Sequence, residues 1–179
     1  MAAGDGLISM TPTSVAHSGT SASINADGGV DFSAVTSLSL NGVFTSDYDN
    51  YLIVIAASAT TAIDFTLRLR SSGSDASGSN YTYQYLLANG SSASAARTSS
   101  ATSGIFANAD NTQSSGYHLA IYGPYLAQPT AYRCVDAYGR EGGRMYNFAG
   151  THSLSTSYDG ITFAGGTFTG MVHVFGYEE

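Results

Sequence analysis

Between Asp47 and Leu87 the chain alternates apolar runs with short polar breaks, at a spacing that fits strands and not helices. The first run, Tyr51 to Ala57, is β-branched and too short to span a membrane, so it reads as a strand buried on both faces. The next places Ile63, Phe65, Leu67 and Leu69 in alternation with Asp64, Thr66, Arg68 and Arg70, which puts the apolar set on one face of a sheet and the charges on the other. Ser58 to Ala62 separates these two runs, and Ser71 to Ser79 supplies turn residues before Tyr81, Tyr83 and Tyr85 alternate again. Three strands in this order predict an antiparallel meander whose buried face requires a second layer.

The same period continues on either side. Val30 to Phe44 alternates at Leu38 and Leu40 and meets a hairpin signal at Asn41-Gly42. Tyr117, Leu119 and Ile121 form one face of a further strand that ends at Gly123-Pro124, and Ala131 to Tyr138 extends again after Gln128-Pro129. Gly139 to Arg144 reads as a glycine-rich hairpin loop. The last strand, Thr167 to Tyr177, carries Val172 and Val174 on one face and Met171, His173 and Phe175 on the other, which suits a central position in a sheet. No segment has helical periodicity. The expected fold is all-β, an antiparallel β-sandwich or jelly roll, with Leu52, Val54, Phe65, Leu67, Leu69, Leu119, Ile121, Val172 and Val174 in its core.

Two stretches depart from that pattern. Met1 to Asp31 has sparse apolar residues and reads as an extended N-terminal docking arm, with Leu7, Ile8 and Met10 as its contacts, ahead of a single domain over residues 32–179. Ala88 to Gly104 contains no large apolar residue and reads as a long surface loop. Its Asn89, Ser91, Ser94, Arg97 and Thr98 are the candidate contacts to a partner or receptor.

Composition narrows the function. A chain of 179 residues suits one domain. All six basic residues are arginine, which removes lysine-dependent phosphate and Schiff-base chemistry, and a net charge of −7 argues against nucleic acid as a partner. Cys134 has no partner for a disulfide and no zinc spacing, so it reads as a small buried hydrophobe. The four histidines lie far apart without ligand spacing, and Asp47-Tyr48-Asp49-Asn50 lacks the glycine and distal glutamate of a calcium loop. Neither a nucleophile elbow nor a metalloprotease motif is present; Asp47, Asp49, Asp64 and Asp159 could supply the two carboxylates of a glycan-degrading enzyme, the remote alternative, but nothing in their spacing favours this over turn capping. The expectation is a protein without catalytic residues, metal or cofactor. Met1 to Met10 has no basic or long apolar segment, so no signal peptide or membrane insertion is expected.

One resemblance rests on specific residues. The run Phe44, Tyr48 to Ile55, then Leu67 to Arg70, Ser72 to Tyr81, Leu126 to Ala131, Leu154 to Ile161 and Val172 to Tyr177 resembles small virion proteins of tailed bacteriophages, the tail-fibre-like or minor structural proteins. The likeness runs from about Leu38 to Tyr177 and includes no catalytic motif. It implies a β-sandwich displayed on the virion, assembled in the host cytoplasm, commonly a homotrimer, in contact with other tail or capsid proteins. The role implied is a tail-fibre or receptor-binding module that meets a host-surface glycan or protein, with capsid decoration as the alternative.

Overall fold

The computed structural model describes residues 6–109, 114–138 and 144–177. These residues form strands and loops, without a helix among them: β1 (Ile8–Ser9), β2 (Ser14–Ile24), β3 (Val30–Asn41), β4 (Asn50–Ala59), β5 (Ile63–Ser71), β6 (Ser74–Asp75), β7 (Tyr81–Asn89), β8 (Ser92–Ala101), β9 (Gly104–Ala109), β10 (Ser115–Tyr122), β11 (Thr130–Tyr138), β12 (Arg144–His152) and β13 (Gly160–Tyr177). Every pairing is antiparallel, and the protein is an all-β sandwich.

β13 generates the two layers. Its first residues, Gly160 to Ala164, lie between β3 and β5, whereas from Phe168 it lies between β3 and β4. The sheet therefore forks within one strand. The larger layer follows the order β2-β3-β13-β4-β10-β11-β12-β7-β8, and the smaller one consists of β5 with β6 and β9. At the fork the register with β3 shifts between Ala164 and Phe168, and Gly165 and Gly166 sit so close to Ile63 that a Cβ on either would lie under 3 Å from its side chain. A strand bends where a bulge breaks its ladder, and glycine allows the close approach.

Phe65 and Phe106 of the smaller layer fill the space between. Phe65 meets Phe168 and Tyr117 edge to face at 5.1 and 5.6 Å, and Phe106 packs on Phe163 at 5.6 Å. Such aromatic pairs add to the apolar area they bury. β9 has β5 as its strand partner, and side chains of the opposite layer take up other backbone groups along it. The Tyr132 hydroxyl donates to the Ile105 carbonyl at 3.2 Å, the Tyr117 hydroxyl donates to the Asn108 carbonyl at 3.0 Å, and the Asp136 carboxylate accepts the Asn108 N–H at 2.7 Å. A buried strand edge must satisfy its polar groups, and here phenols and a carboxylate replace a neighbouring strand. Gly104 and Gly150 flank Tyr132 so tightly that a Cβ on either would come within 2.1–2.3 Å of its phenol.

Several expectations change. Phe65, Leu67, Leu69, Leu119, Ile121, Val172 and Val174 are core residues, but Leu52 and Val54 are half-exposed. The buried set of β4 is Tyr51, Ile53, Ile55, Ala57 and Ala59, because only one of its faces has a layer over it. The meander does not form: β4 and β5 pair with different parts of β13 and belong to different layers. Asn41-Gly42 does turn the chain, with Gly42 at φ 68°, yet β3 and β4 are not a hairpin, since β13 lies between them. The expected boundary at Asp31 falls inside β3, and β2 pairs with β3 from Ser14 to Ile24, so this part of the N-terminal segment is sheet and not a free arm. Ala88 to Gly104 is no loop: it turns at Gly90 and returns as β8 along β7, its exposed Ser, Ala and Thr held by backbone hydrogen bonds in place of apolar contacts. The glycine-rich turn over residues 139–143 lies outside the described residues, as do residues 1–5 of the expected arm.

Asp136 is 1% exposed, and burial pushes its carboxyl from an ordinary 3.8 up to about 6, offset only in part by the Asn108 hydrogen bond. A carboxyl raised on folding contributes stability at low pH that is lost as pH rises from 3.8 to about 6. His152, also buried and 3.2 Å from the Tyr158 hydroxyl, is held below its ordinary 6.5, so its contribution runs the other way and is lost as pH falls. Asp136→Asn keeps an oxygen for the Asn108 N–H and removes the charge. The variant should be more stable than the parent above its shifted pKa by roughly 2–3 kcal/mol, and the two should converge near the unfolded value. Urea unfolding across this range is the check. Parallel pH profiles for the two proteins would contradict the buried-carboxylate assignment.

Candidate functional site

Alternation along each strand of the larger layer sends one set of side chains into the core and leaves the other on an outer face that no second layer covers among the described residues. Across β8, β7, β12, β11, β10 and β4 the register aligns Arg97, Gln84, Ala149, Arg133, Ala120 and Leu52 in one row. The adjacent outward row is Ala95, Leu86, Asn147, Val135, His118 and Val54. Five strand spacings make each row roughly 24 Å long.

Alanine at positions 95, 120 and 149 lowers the floor while the longer neighbours stand as walls. The result is three adjoining depressions of about 520, 440 and 700 Å³. All three include Ala149, which makes this residue the centre of one groove across the sheet. Arg97, Gln84, Arg133 and Asn147 each line two of them, and Thr82, Thr151 and Tyr122 border one side. The Arg133 guanidinium lies over the Tyr122 ring at 5.8 Å. Among the described residues no Asp or Glu lines the groove, although the chain carries a net charge of −7.

Of the contacts expected from the sequence, Arg97 lies in this groove. Asn89 and Ser91 sit at the tip of the β7–β8 hairpin, and Ser94 and Thr98 alternate with Arg97 and so occupy the other face of β8. Leu7 is exposed, but Ile8 pairs with Gly176 and packs with Met10 against this chain's own core. Gln84, Arg133, Asn147 and Ala149 were missed. Their local signal, single polar or small residues alternating with buried ones, acquires meaning only when the strand register is known.

His118 lines the groove beside Val135, and several other polar groups are engaged elsewhere. Arg70 is buried and donates to Asn41 Oδ1 at 2.9 Å, Thr162 Oγ1 at 2.8 Å and Ser39 Oγ at 3.1 Å, besides Asp75 and the Gly73 carbonyl. Asp159 accepts the Ser72 N–H at 3.1 Å, and Asp64 accepts from Asn108. His173 stacks on Phe175 on the outer face, 3.8 Å from Asp27. Cys134 is buried and burial pushes its thiol up to about 12, so it stays protonated at neutral pH. Among the described residues no three His, Cys, Asp or Glu side chains gather to hold a metal, and no helix is long and apolar enough to cross a membrane.

Fold and site together define an antiparallel β-sandwich with an open groove across its larger sheet. No family model matches the chain, and no curated protein matches it. Solved structures to which it is similar include lectin II from Ulex europaeus, with 10% identity over 90% of this chain and 95% of that one at a TM-score of 0.21. Another is the Lotus tetragonolobus seed lectin isoform, with 11% identity over 97% and 100% of the two chains at a TM-score of 0.23. Superpositions this loose carry nothing across from those lectins.

Because the chain has no tryptophan, Ala149→Trp places a single indole at the centre of the groove. The variant should keep the parent's unfolding free energy to within about 0.5 kcal/mol, as surface substitutions do. Its emission should be that of a partly hydrated indole open to acrylamide quenching. A blue-shifted, unquenched emission would mean that the groove is closed.

Proposed function

We propose that this protein is a non-enzymatic component of a tailed-phage virion, displayed on the particle exterior as a tail-fibre or receptor-binding module. The observation that carries this reading is the groove centred on Ala149: an open surface roughly 24 Å long across six antiparallel strands, each paired on both sides except β8 at the edge. The sequence resemblance from Leu38 to Tyr177 supplies the virion setting. The partner is a host-surface glycan or protein.

Capsid decoration is the second reading: the chain has neither heptads nor a fixed repeat from which to build a shaft, which fits a compact decoration or else a tip whose shaft is another gene product. Antibody labelling of virions in electron micrographs separates the two. Label at the tail is expected, and label spread over the capsid faces would replace the receptor-binding reading with decoration.

Assembly as a homotrimer belongs to the same proposal. β8 is open on both faces, so the side of it that carries Ser94 and Thr98, turned away from the groove, is sheet left uncovered. A threefold neighbour against that side would bury it and leave the groove open. Light scattering should give three times the 18.5 kDa chain mass; a monomer mass at micromolar concentration would count against the trimer.

A further inference from the structure

We infer that the groove takes a linear acidic glycan, with its oxyanion groups seated on Arg97 and Arg133. This rests on the receptor-binding reading and adds the chemical class of the ligand. Both arginines are exposed and lie in the same row, with Gln84 and Ala149 between them. Three strand spacings separate their positions, roughly 14 Å. They concentrate positive charge in one groove of a chain whose net charge is −7, with no carboxylate among the described residues lining that groove. Arg97 forms no ion pair among the described residues, so its planar donors are open to a ligand.

The space between the arginines suits sugar. The Gln84 and Asn147 amides both donate and accept, Thr82 and Thr151 offer hydroxyls, and the Tyr122 ring backs Arg133. Ala149 keeps the floor low where the depressions meet, so an extended polymer passes without a bend. Two alternatives fit less well. An acidic peptide gains affinity by adding to a free strand edge, whereas this floor is the face of a sheet whose strands are paired on both sides from β10 to β7. A nucleic acid presents a phosphate at every residue and needs a longer basic track with stacking rings.

The full-length protein, titrated calorimetrically with polygalacturonate, dextran sulfate, neutral dextran and poly-L-glutamate, tests the assignment. Polygalacturonate or dextran sulfate should bind, which of them does so distinguishing carboxylate from sulfate, and the affinity should fall with added sodium chloride. Arg97→Gln and Arg133→Gln should each weaken binding about tenfold or more, as loss of a charge-assisted contact does. Ala149→Trp should block it while leaving the fold intact, and neutral dextran should not bind. The inference is overturned if neither acidic polysaccharide binds, if neutral dextran binds equally well, or if the three variants bind like the parent. Arginine-dependent binding of poly-L-glutamate in place of the polysaccharides would assign the groove to an acidic polypeptide and also overturn it. These outcomes are independent of virion labelling. A tail-located protein that ignores polyanions keeps the receptor-binding reading and loses this one, whereas capsid label with arginine-dependent binding does the reverse.

Discussion

The backbone of β9 must be satisfied inside the protein, and the sandwich depends on how that is done. A β-sandwich usually closes its layers with apolar contact alone. Here the apolar contact between Phe65, Phe106, Phe163 and Phe168 is joined by directional bonds from Tyr132, Tyr117 and Asp136 to the backbone of β9. Because an unpaired buried polar group is costly, these bonds set the sliding position of one layer on the other as well as their distance. The fork in β13 makes the arrangement possible by feeding both layers from one strand, and the two glycines at the fork let the chain bend toward Ile63.

Much of the local structure was legible in the sequence, because period-two alternation is a local property. The inward set of β5 and the paired valines of β13 follow from it directly. Pairing was not legible. The adjacency of β4, β5 and β7 along the chain suggests a meander, and Asn41-Gly42 suggests a hairpin, yet β13, the last strand of the chain, takes the place beside β3, β4 and β5, and β7 pairs with β12 and β8. Leu52 and Val54 show the same limit, since a run of β-branched residues cannot reveal whether one face or two will be covered.

The groove lay further out of reach. Arg97 could be picked out as an exposed basic residue in a small-residue stretch, but its neighbours in space come from strands β7, β12 and β11. Ala149 has no chemistry of its own, and its role is entirely one of absence: a short side chain where the rows on either side are tall. The stretch from Ala88 to Gly104 misled for a related reason. A strand at a sheet edge needs backbone partners more than apolar residues, and Ser, Ala and Thr meet that need on the outside of β7.

β11 places the lock of the sandwich and the chemistry of the groove on alternate residues of one strand. Tyr132, Cys134 and Asp136 point inward, and Arg133 and Val135 point outward. Neighbours in sequence thus answer to different selective pressures. Drift at the inward positions is limited by two glycines and a buried carboxylate, whereas the outward positions can be exchanged with little effect on folding. A lineage can therefore rewrite what this surface meets, one substitution at a time, without passing through an unfolded ancestor.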